Sequence, residues 1–185
     1  MLSWTLAIVA LVLAYLIGAV PFALIVGKVY RGIDLREHGS GNLGATNVFR
    51  VLGWKAGIVA ALLDVAKGAA AVGVAVWLHP ASAGEPAFDW MLICSMIAAM
   101  AGHSYSPYIR FAGGKGVAVA GGGLLIITPL AWPILFLIFA LIVVIGRMVS
   151  LGSVITAASF PFLVLWLYPD RTPIVALSFG AAALV

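Results

Sequence analysis

The sequence GSGNLGATNVFR, residues 39–50, interrupts a chain that is otherwise strongly apolar. Its three glycines allow tight turns and a close approach of the backbone to a ligand. Its serine, threonine and asparagines supply hydroxyl and amide hydrogen-bonding groups. Arg50 ends the stretch with a planar cationic fork suited to phosphate or carboxylate. We therefore interpret these residues as the centre of a binding site that apolar helices hold in place.

Two further polar stretches have the same character. One is GHSYSPYIRFAGGKG, residues 102–116, and the other is RMVSLGS, residues 147–153. Each supplies glycine, serine and at least one cation, and each lies between two apolar runs. We predict that the three stretches meet at one membrane surface and form one site.

Composition indicates an integral membrane protein. The chain has 185 residues, of which 64% are hydrophobic and only 9% charged, and its mean hydropathy is +1.20. Soluble domains carry roughly 25% charged residues. We expect a single all-α domain, residues 1–185, built as a polytopic membrane helix bundle. Its only cysteine, Cys94, excludes an internal disulfide, and its apolar surroundings predict a buried, inert thiol.

The apolar runs predict about seven transmembrane helices. The first run, residues 2–26, precedes every cation and can span roughly 30 Å of hydrocarbon, so we interpret it as an uncleaved helix kinked at Pro21. The other helices are predicted at residues 57–78, 90–101, 117–128, 130–146, 149–168 and 174–185. Residues 117–146 are compatible with two short helices or with a re-entrant pair.

The placement of cations predicts the topology. Eight of the ten lysines and arginines lie in the loops at residues 28–55 and 102–116 or at Arg147. Lys67 lies within a helix, and Arg171 lies in a predicted outer turn. Because cytoplasmic loops are enriched in Lys and Arg, we expect the three polar stretches and the C-terminus inside and the N-terminus outside.

Two ionisable residues are predicted inside the second helix. Asp64 and Lys67 are one turn apart and therefore lie on one face. Charges within a membrane are costly and are usually paired or functional. Two interpretations stay open from the sequence: a structural ion pair near the inner rim, or a group that orients a residue of the site.

The turn Gly113-Gly114-Lys115-Gly116 has the composition of a phosphate-binding turn. Glycine N–H groups can form an anion nest, and the lysine adds a positive charge. The turn is not a Walker A loop, because Ile109 stands where that motif needs its first glycine and Gly116 stands where it needs Ser or Thr.

The histidines leave more than one interpretation open. His103, at the start of the second stretch, is either a general base or, as is more common, a histidine that holds a loop by hydrogen bonds. His38 and His79 have no partner pattern and are expected at the surface. No cluster of His, Cys, Asp and Glu has metal-ligand spacing, so no metal or other cofactor is expected.

Four segments together resemble the bacterial acyl-phosphate:glycerol-3-phosphate acyltransferases. They are SGNLGATNVFR (40–50), LLDVAKG (62–68), GHSYSPYIRFAGGKGVA (102–118) and RMVSLGS (147–153), and they cover most of the chain in this order. The resemblance implies a seven-helix enzyme of the bacterial inner (plasma) membrane. It implies transfer of a fatty acyl group from acyl phosphate to the 1-hydroxyl of glycerol 3-phosphate, forming lysophosphatidic acid and phosphate. We expect membrane lipid around a monomer and no nucleic acid.

The resemblance and the polar stretches together predict the site residues. The predicted catalytic residues are Ser40, Arg50, Lys115 and His103. The predicted substrate-binding residues are Gly41, Asn42, Thr46, Asn47, Gly113, Gly114, Gly116, Arg147 and Ser150. The family continues past its last helix into a cytoplasmic tail with His, Asn and Glu. We expect that tail to be missing from a chain that ends at Val185, and a protein that ended there to be impaired.

The chemistry of the implied substrates fits the polar stretches. Both substrates carry phosphate, which suits groups rich in Arg, Lys and glycine N–H. Acyl phosphate is already activated, so the protein has to orient two anions and stabilise charge on the carbonyl oxygen, without a covalent intermediate. The acyltransferase signature H-x-x-x-x-D is absent, since Leu43, Gly84 and Tyr108 follow the histidines at that distance.

Two alternative functions compete with this one. The first is a membrane transporter of a phosphorylated small solute, since a helix bundle with cationic groups suits both roles. The clustering of polar residues on one side argues against it, because few are left along the helices to line a path. The second is a non-catalytic assembly subunit, which leaves the three polar stretches unexplained.

The predicted topology leads to a labelling experiment. In the full-length protein carrying Cys94→Ala, we expect a cysteine at position 42 (Asn42→Cys) to react with a membrane-impermeant thiol reagent only after cells are permeabilised. A cysteine in the predicted outer turn (Asp170→Cys) is the control and should react in intact cells. Labelling of position 42 in intact cells would contradict the topology.

Overall fold

The computed structural model describes residues 4–79 and 85–184. Within those ranges the chain forms nine α-helices and no strand, which confirms the all-α prediction. The helices are α1 (Trp4–Gly18), α2 (Phe22–Arg31), α3 (Ala45–Leu52), α4 (Trp54–Leu78), α5 (Pro86–Ser104), α6 (Val117–Ile127), α7 (Trp132–Gly146), α8 (Val149–Leu167) and α9 (Thr172–Leu184).

The described helices have the lengths and surfaces of a membrane bundle. Three segments are long and apolar enough to cross a membrane: Trp4–Arg31, which combines α1 and α2, Trp54–Leu78 and Val149–Leu167. Small residues such as Ala10 and Ala71 are fully buried, whereas large apolar side chains such as Trp77 are exposed. Helices that pack in lipid use small residues at their contacts in this way. The number of seven crossings and the orientation of the termini stay predictions.

The first predicted helix is broken, and not merely kinked, at Pro21. Proline has no N–H to donate and cannot continue the helical hydrogen-bond pattern. The break turns the carbonyl groups of Ala19 and Val20 toward other partners. The Ser106 hydroxyl donates to the Ala19 oxygen at 2.6 Å, and the Lys67 ammonium donates to the Val20 oxygen at 2.8 Å. Side chains from two other segments therefore stabilise the break.

The predicted loop at residues 28–55 is partly helical. Helix α2 continues to Arg31, and α3 occupies the second half of the first polar stretch. Val48 and Leu52, four residues apart on α3, are buried in a cluster with Leu35. Helix α3 has only about two turns, so its few apolar residues give too short a periodic pattern for the sequence to predict a helix here.

Helix α5 is longer than the prediction of residues 90–101. Pro86 occupies its first turn, where a missing N–H costs nothing. Asp89, predicted in the outer loop, lies in the first turn, and His103 lies in the last turn. Residues 80–84 of that predicted outer loop lie outside the described residues.

An ion pair joins the first turn of α5 to the residue just before α9. The Arg171 guanidinium, just before α9, donates from Nε to Asp89 Oδ2 at 3.0 Å and from Nη2 to Oδ1. Asp89 is only 1% exposed, so its carboxylate depends on this partner. The cation predicted in the outer turn therefore has a structural role.

Two single-residue predictions are wrong. Cys94 is exposed and not buried, since it lies on an outward face of α5. The sequence could not predict this, because apolar residues on every side of the helix give no periodic signal for its buried face. His79 is 6% exposed and not at the surface, since it directly follows Leu78, which packs against the main hydrophobic core. His38 is exposed, as predicted.

Helices α4 and α6 touch through their backbones. A Cβ on Gly68 of α4 would overlap the carbonyl oxygen of Val119, and a Cβ on Gly122 of α6 would overlap that of Val65. Glycine is therefore required for this approach, as in other close helix contacts in membranes. The last two glycines of the run Gly121-Gly122-Gly123 are buried packing surfaces.

This contact predicts a difference between two neighbouring glycines. We expect Gly122→Ala to destabilise the protein by about 1–3 kcal/mol through overpacking. A Cβ on Gly121 meets no atom within 4 Å, so Gly121→Ala is the control and should keep or raise stability. Thermal unfolding in detergent measures both, and equal losses for the two variants would show that the close contact is absent.

Candidate functional site

Each of the three polar stretches lies at the start of a helix. Helix α3 begins after Gly44, α6 after Gly116 and α8 after Met148. At these three ends no side chain caps the N–H groups of the first turn. A helix N-terminus carries unpaired N–H donors and a partial positive charge, so each end favours an anion.

Backbone contacts join the first and second stretches. The Leu43 N–H donates to the Gly113 carbonyl at 3.3 Å, and the Gly114 N–H donates to the His103 carbonyl at 3.2 Å. A Cβ on Gly113 would overlap the His103 and Ser104 carbonyl oxygens, and a Cβ on Gly114 would overlap His103 Nε2. The Gly113–Gly116 turn therefore folds back onto the end of α5, and only glycine permits it.

A groove of about 370 Å³ joins the first and third stretches. Its lining residues are Thr46, Phe49, Arg50, Val143, Arg147 and Val149. Arg147 has a φ of 51°, in the left-handed region, where it ends α7 and starts the turn into α8. Arg50 and Arg147 are both exposed along this groove, whereas the exposed Ser150 is not part of its lining.

Asn47 holds the first stretch in shape. Its Oδ1 accepts from the Ser40 N–H at 2.9 Å, and its Nδ2 donates to the carbonyl oxygens of His38 at 3.0 Å and Leu35 at 3.4 Å. Asn47 is buried, and a Cβ on Gly39 would overlap its Oδ1. The amide therefore supports the turn that carries Ser40.

Ser40 and its neighbours form the exposed part of the first stretch. Gly39 and Gly41 have φ values of 63° and 69°, which favour glycine, and Ser40 between them is exposed. Asn42 is half-buried, and Thr46 is exposed in the first turn of α3. The hydroxyl groups of this stretch are therefore accessible to a ligand, unlike the amide of Asn47.

The cations on this side of the bundle differ in their partners. Arg36 binds Asp34 through Nε at 3.0 Å and through Nη2 at 2.6 Å, and this contact lowers the pKa of Asp34 to about 2. Among residues 4–79 and 85–184, Arg50, Lys115 and Arg147 have no carboxylate within 4 Å. Those three remain available for an anionic ligand, whereas Arg36 is neutralised locally.

Sequence reasoning missed the partner that joins the buried ion pair to the site. The Lys67 ammonium lies 2.9 Å from Asp64 Oδ1 and 2.8 Å from His103 Nδ1. The sequence places Lys67 and Asp64 on one face, but it gives no signal for His103, 36 residues later in another helix. The two interpretations of the pair are therefore compatible, because a structural ion pair also contacts a predicted site residue.

Comparison with known proteins identifies the family of this chain. A family model described as glycerol-3-phosphate acyltransferase matches residues 8–185. The glycerol-3-phosphate acyltransferase of Chlorobaculum tepidum is 48% identical over 160 residues, 83% of this chain and 68% of that protein. Glycerol-3-phosphate acyltransferase 2 of Moorella thermoacetica is 42% identical over 177 residues, 96% of this chain and 87% of that protein.

Solved structures have the same fold. The crystal structure of PlsY (YgiH), an integral membrane glycerol 3-phosphate acyltransferase, in its glycerol 3-phosphate form superposes with a TM-score of 0.80 at 35% identity. Its lysophosphatidic acid form gives 0.79 at 33% identity. Each match covers 96% of this chain and 85% of the other. From its sequence, its fold and the glycine-rich turns of its polar stretches, the chain belongs to the glycerol-3-phosphate acyltransferase family of integral membrane proteins.

Proposed function

We propose that this chain transfers a fatty acyl group from acyl phosphate to the 1-hydroxyl of glycerol 3-phosphate, forming lysophosphatidic acid and inorganic phosphate. Family membership supports acyl transfer to glycerol 3-phosphate. The observation that carries the proposal is the convergence of three uncapped helix N-termini with Arg50, Lys115 and Arg147 at one end of an apolar bundle.

The electrostatics of this end of the bundle favour two phosphates. Acyl phosphate and glycerol 3-phosphate each carry a phosphoryl group, and their negative charges repel each other. Cations without carboxylate partners and helix N-termini offset that repulsion and bring the reacting atoms together. In an enzyme such positioning replaces the encounter of two anions in solution with one oriented complex.

The second stretch has the features of a glycerol-phosphate site. Gly113 and Gly114 let the turn pack against His103 and Ser104, where a Cβ would overlap. Lys115 is exposed, and Gly116 then takes a left-handed φ of 76° to start α6. A phosphate on this turn would meet the lysine and the first N–H groups of α6, as in other helix N-terminal phosphate sites.

The groove between the first and third stretches suits the donor. Arg50 and Arg147 line it together, and an arginine binds two phosphate oxygens at once. In this proposal Ser40 orients the acceptor hydroxyl or the donor phosphate. The fatty acyl chain of the donor lies between helices in the bilayer, so the substrate enters with its tail in lipid and its phosphate at the polar end of the bundle.

The reaction needs no covalent enzyme intermediate. The glycerol oxygen forms a bond to the acyl carbonyl carbon, the bond from that carbon to the phosphate oxygen breaks, and phosphate leaves. The hydroxyl proton passes to a phosphate oxygen of the donor, because a phosphoryl group can act as a base: on a phosphorylated side chain its second pKa is about 6. Cationic and N–H groups stabilise the charge that develops on the carbonyl oxygen.

The cellular setting follows from the same reasoning. The chain belongs to a family of integral membrane acyltransferases. We infer that it acts as a single domain and as a monomer in the bacterial plasma membrane. Its site faces the cytoplasm, where soluble glycerol 3-phosphate is present, and the lysophosphatidic acid product remains in the lipid. The enrichment of Lys and Arg around the polar stretches supports this orientation.

The proposed acceptor site predicts the effect of removing one charge. We expect Lys115→Ala to raise KM for glycerol 3-phosphate, because loss of a charge-assisted contact weakens binding by roughly 1.5–3 kcal/mol. Lys55→Ala removes another lysine from the same side of the bundle and is the control, with kinetics close to wild type. Steady-state assays with varied glycerol 3-phosphate distinguish them, and an unchanged KM in Lys115→Ala would remove Lys115 from the acceptor site.

The donor assignment is tested with the purified full-length protein in the absence of any gradient. We expect acyl phosphate and glycerol 3-phosphate to yield 1-acyl lysophosphatidic acid and phosphate, whereas acyl-CoA yields none. The polar stretches offer compact anion-binding groups but no surface for a nucleotide-sized carrier. Robust turnover with acyl-CoA alone would overturn the donor assignment, and an acyl adduct on Ser40 trapped without acceptor would overturn direct transfer.

A further inference from the structure

A buried polar cluster lies directly behind the glycine turn, and the mechanism above does not use it. Its members are Asp64 and Lys67 on α4 and His103 on α5, and the side chain of each is at most 5% exposed. The Lys67 ammonium lies 2.9 Å from Asp64 Oδ1, and it donates at 2.8 Å to the Val20 carbonyl. Its third neighbour is His103 Nδ1, also at 2.8 Å.

These contacts determine which nitrogen of His103 carries hydrogen. An ammonium group has three N–H donors and no acceptor, and the three atoms around Lys67 are a carboxylate oxygen, a carbonyl oxygen and a ring nitrogen. Nδ1 must therefore accept, so the hydrogen of the neutral ring lies on Nε2. A second ring proton would place a positive imidazolium 2.8 Å from the ammonium, where like charges repel.

The hydrogen-bearing nitrogen faces the predicted site. A Cβ on Gly114 would overlap His103 Nε2, and the same point lies 3.1 Å from the Leu43 carbonyl oxygen. The Nε2–H group therefore lies beneath the turn at which the first and second polar stretches meet. The backbone carbonyl of His103 holds the same turn through the Gly114 N–H.

We propose that Lys67 is a positioning residue that holds His103 as the neutral Nε2–H tautomer, so that His103 acts beneath the Gly113–Gly116 turn as a hydrogen-bond donor and not as a base. Asp64 is the counter-ion that keeps the ammonium charged inside the bundle. The part of this inference that concerns catalysis rests on the proposed function. It also explains why the hydroxyl proton passes to the donor phosphate, since the ring lone pair of His103 is occupied by Lys67.

The tautomer is measurable without any turnover. The chain has three histidines, so the full-length protein labelled with ¹⁵N-histidine in nanodiscs gives few ring signals, and His103→Gln identifies those of His103. We expect the Nε2–H pattern in the wild-type protein. Lys67→Met should convert it to a mixture of tautomers, whereas the surface control Lys55→Met leaves it unchanged.

Removing Lys67 alone leaves a buried carboxylate without a partner, and the variant can fail to fold. The double variant Asp64→Asn with Lys67→Met removes both charges and is expected to fold, and it should show the same mixture of tautomers. An Nδ1–H ring or an imidazolium in the wild-type protein would overturn the proposal. An unchanged His103 pattern in the double variant would overturn it as well.

Kinetics separate a donor from a base. Glutamine keeps an N–H donor near the position of Nε2 but cannot accept a proton from a hydroxyl group. We expect His103→Gln to stay within about threefold of wild-type kcat and His103→Ala to lose roughly tenfold or more, as for loss of one hydrogen bond of about 1.5 kcal/mol. If glutamine is as damaging as alanine, His103 is a base and the proposal is wrong. If the wild-type protein makes no lysophosphatidic acid, the proposed function fails, while the tautomer measurement still decides the role of Lys67.

Discussion

The contact between the Lys67 ammonium and the Val20 carbonyl connects the broken first helix to the middle of the bundle. A helix break in an apolar environment is tolerated only where other groups replace the lost backbone hydrogen bonds. A buried ammonium has the opposite need, since it requires acceptors and a counter-ion. Lys67 meets both requirements, because it contacts the break between α1 and α2, Asp64 on its own helix and His103 on α5. The relative positions of four helices therefore depend on one side chain.

Glycine extends this constraint to the polar end of the bundle. The backbone contact of α4 with α6 at Gly68 and Gly122 sets the position of α6, whose first residue follows the Gly113–Gly116 turn. The Gly113–Gly116 turn lies against His103, and the hydrogen bond from Leu43 to Gly113 links this turn to the first stretch. The helix N-termini that favour anions are therefore held by backbone contacts, which move less than side chains do and are suited to preorganised binding.

The resulting site is cationic and rich in N–H donors, which agrees with chemistry on an activated donor. An acyl phosphate has its leaving group in place, so orientation and charge stabilisation account for most of the required catalysis. The arginines line the groove between the first and third stretches, and the lysine lies in the glycine turn that contacts the first stretch at Leu43. His103 Nδ1 lies 2.8 Å from the Lys67 ammonium, so this nitrogen is not free to take a proton from a substrate, in agreement with the proposed transfer of the proton to the donor phosphate.

Much of the architecture was determined by the sequence alone, because hydropathy and the placement of Lys and Arg are local properties. The apolar runs that form most of the helices, the three polar stretches and the Asp64–Lys67 pair follow from spacing along the chain, whereas the break at Pro21, helix α3 and the full length of α5 do not. Only the tertiary structure decided that His103 is the third member of that pair, that Asn47 supports the turn around Ser40, and that Cys94 faces outward. The physical reason is that helices which are apolar on every side carry no periodic signal for the buried face. Contacts between residues far apart in sequence, such as Lys67 with Val20 and His103, arise only when those helices pack.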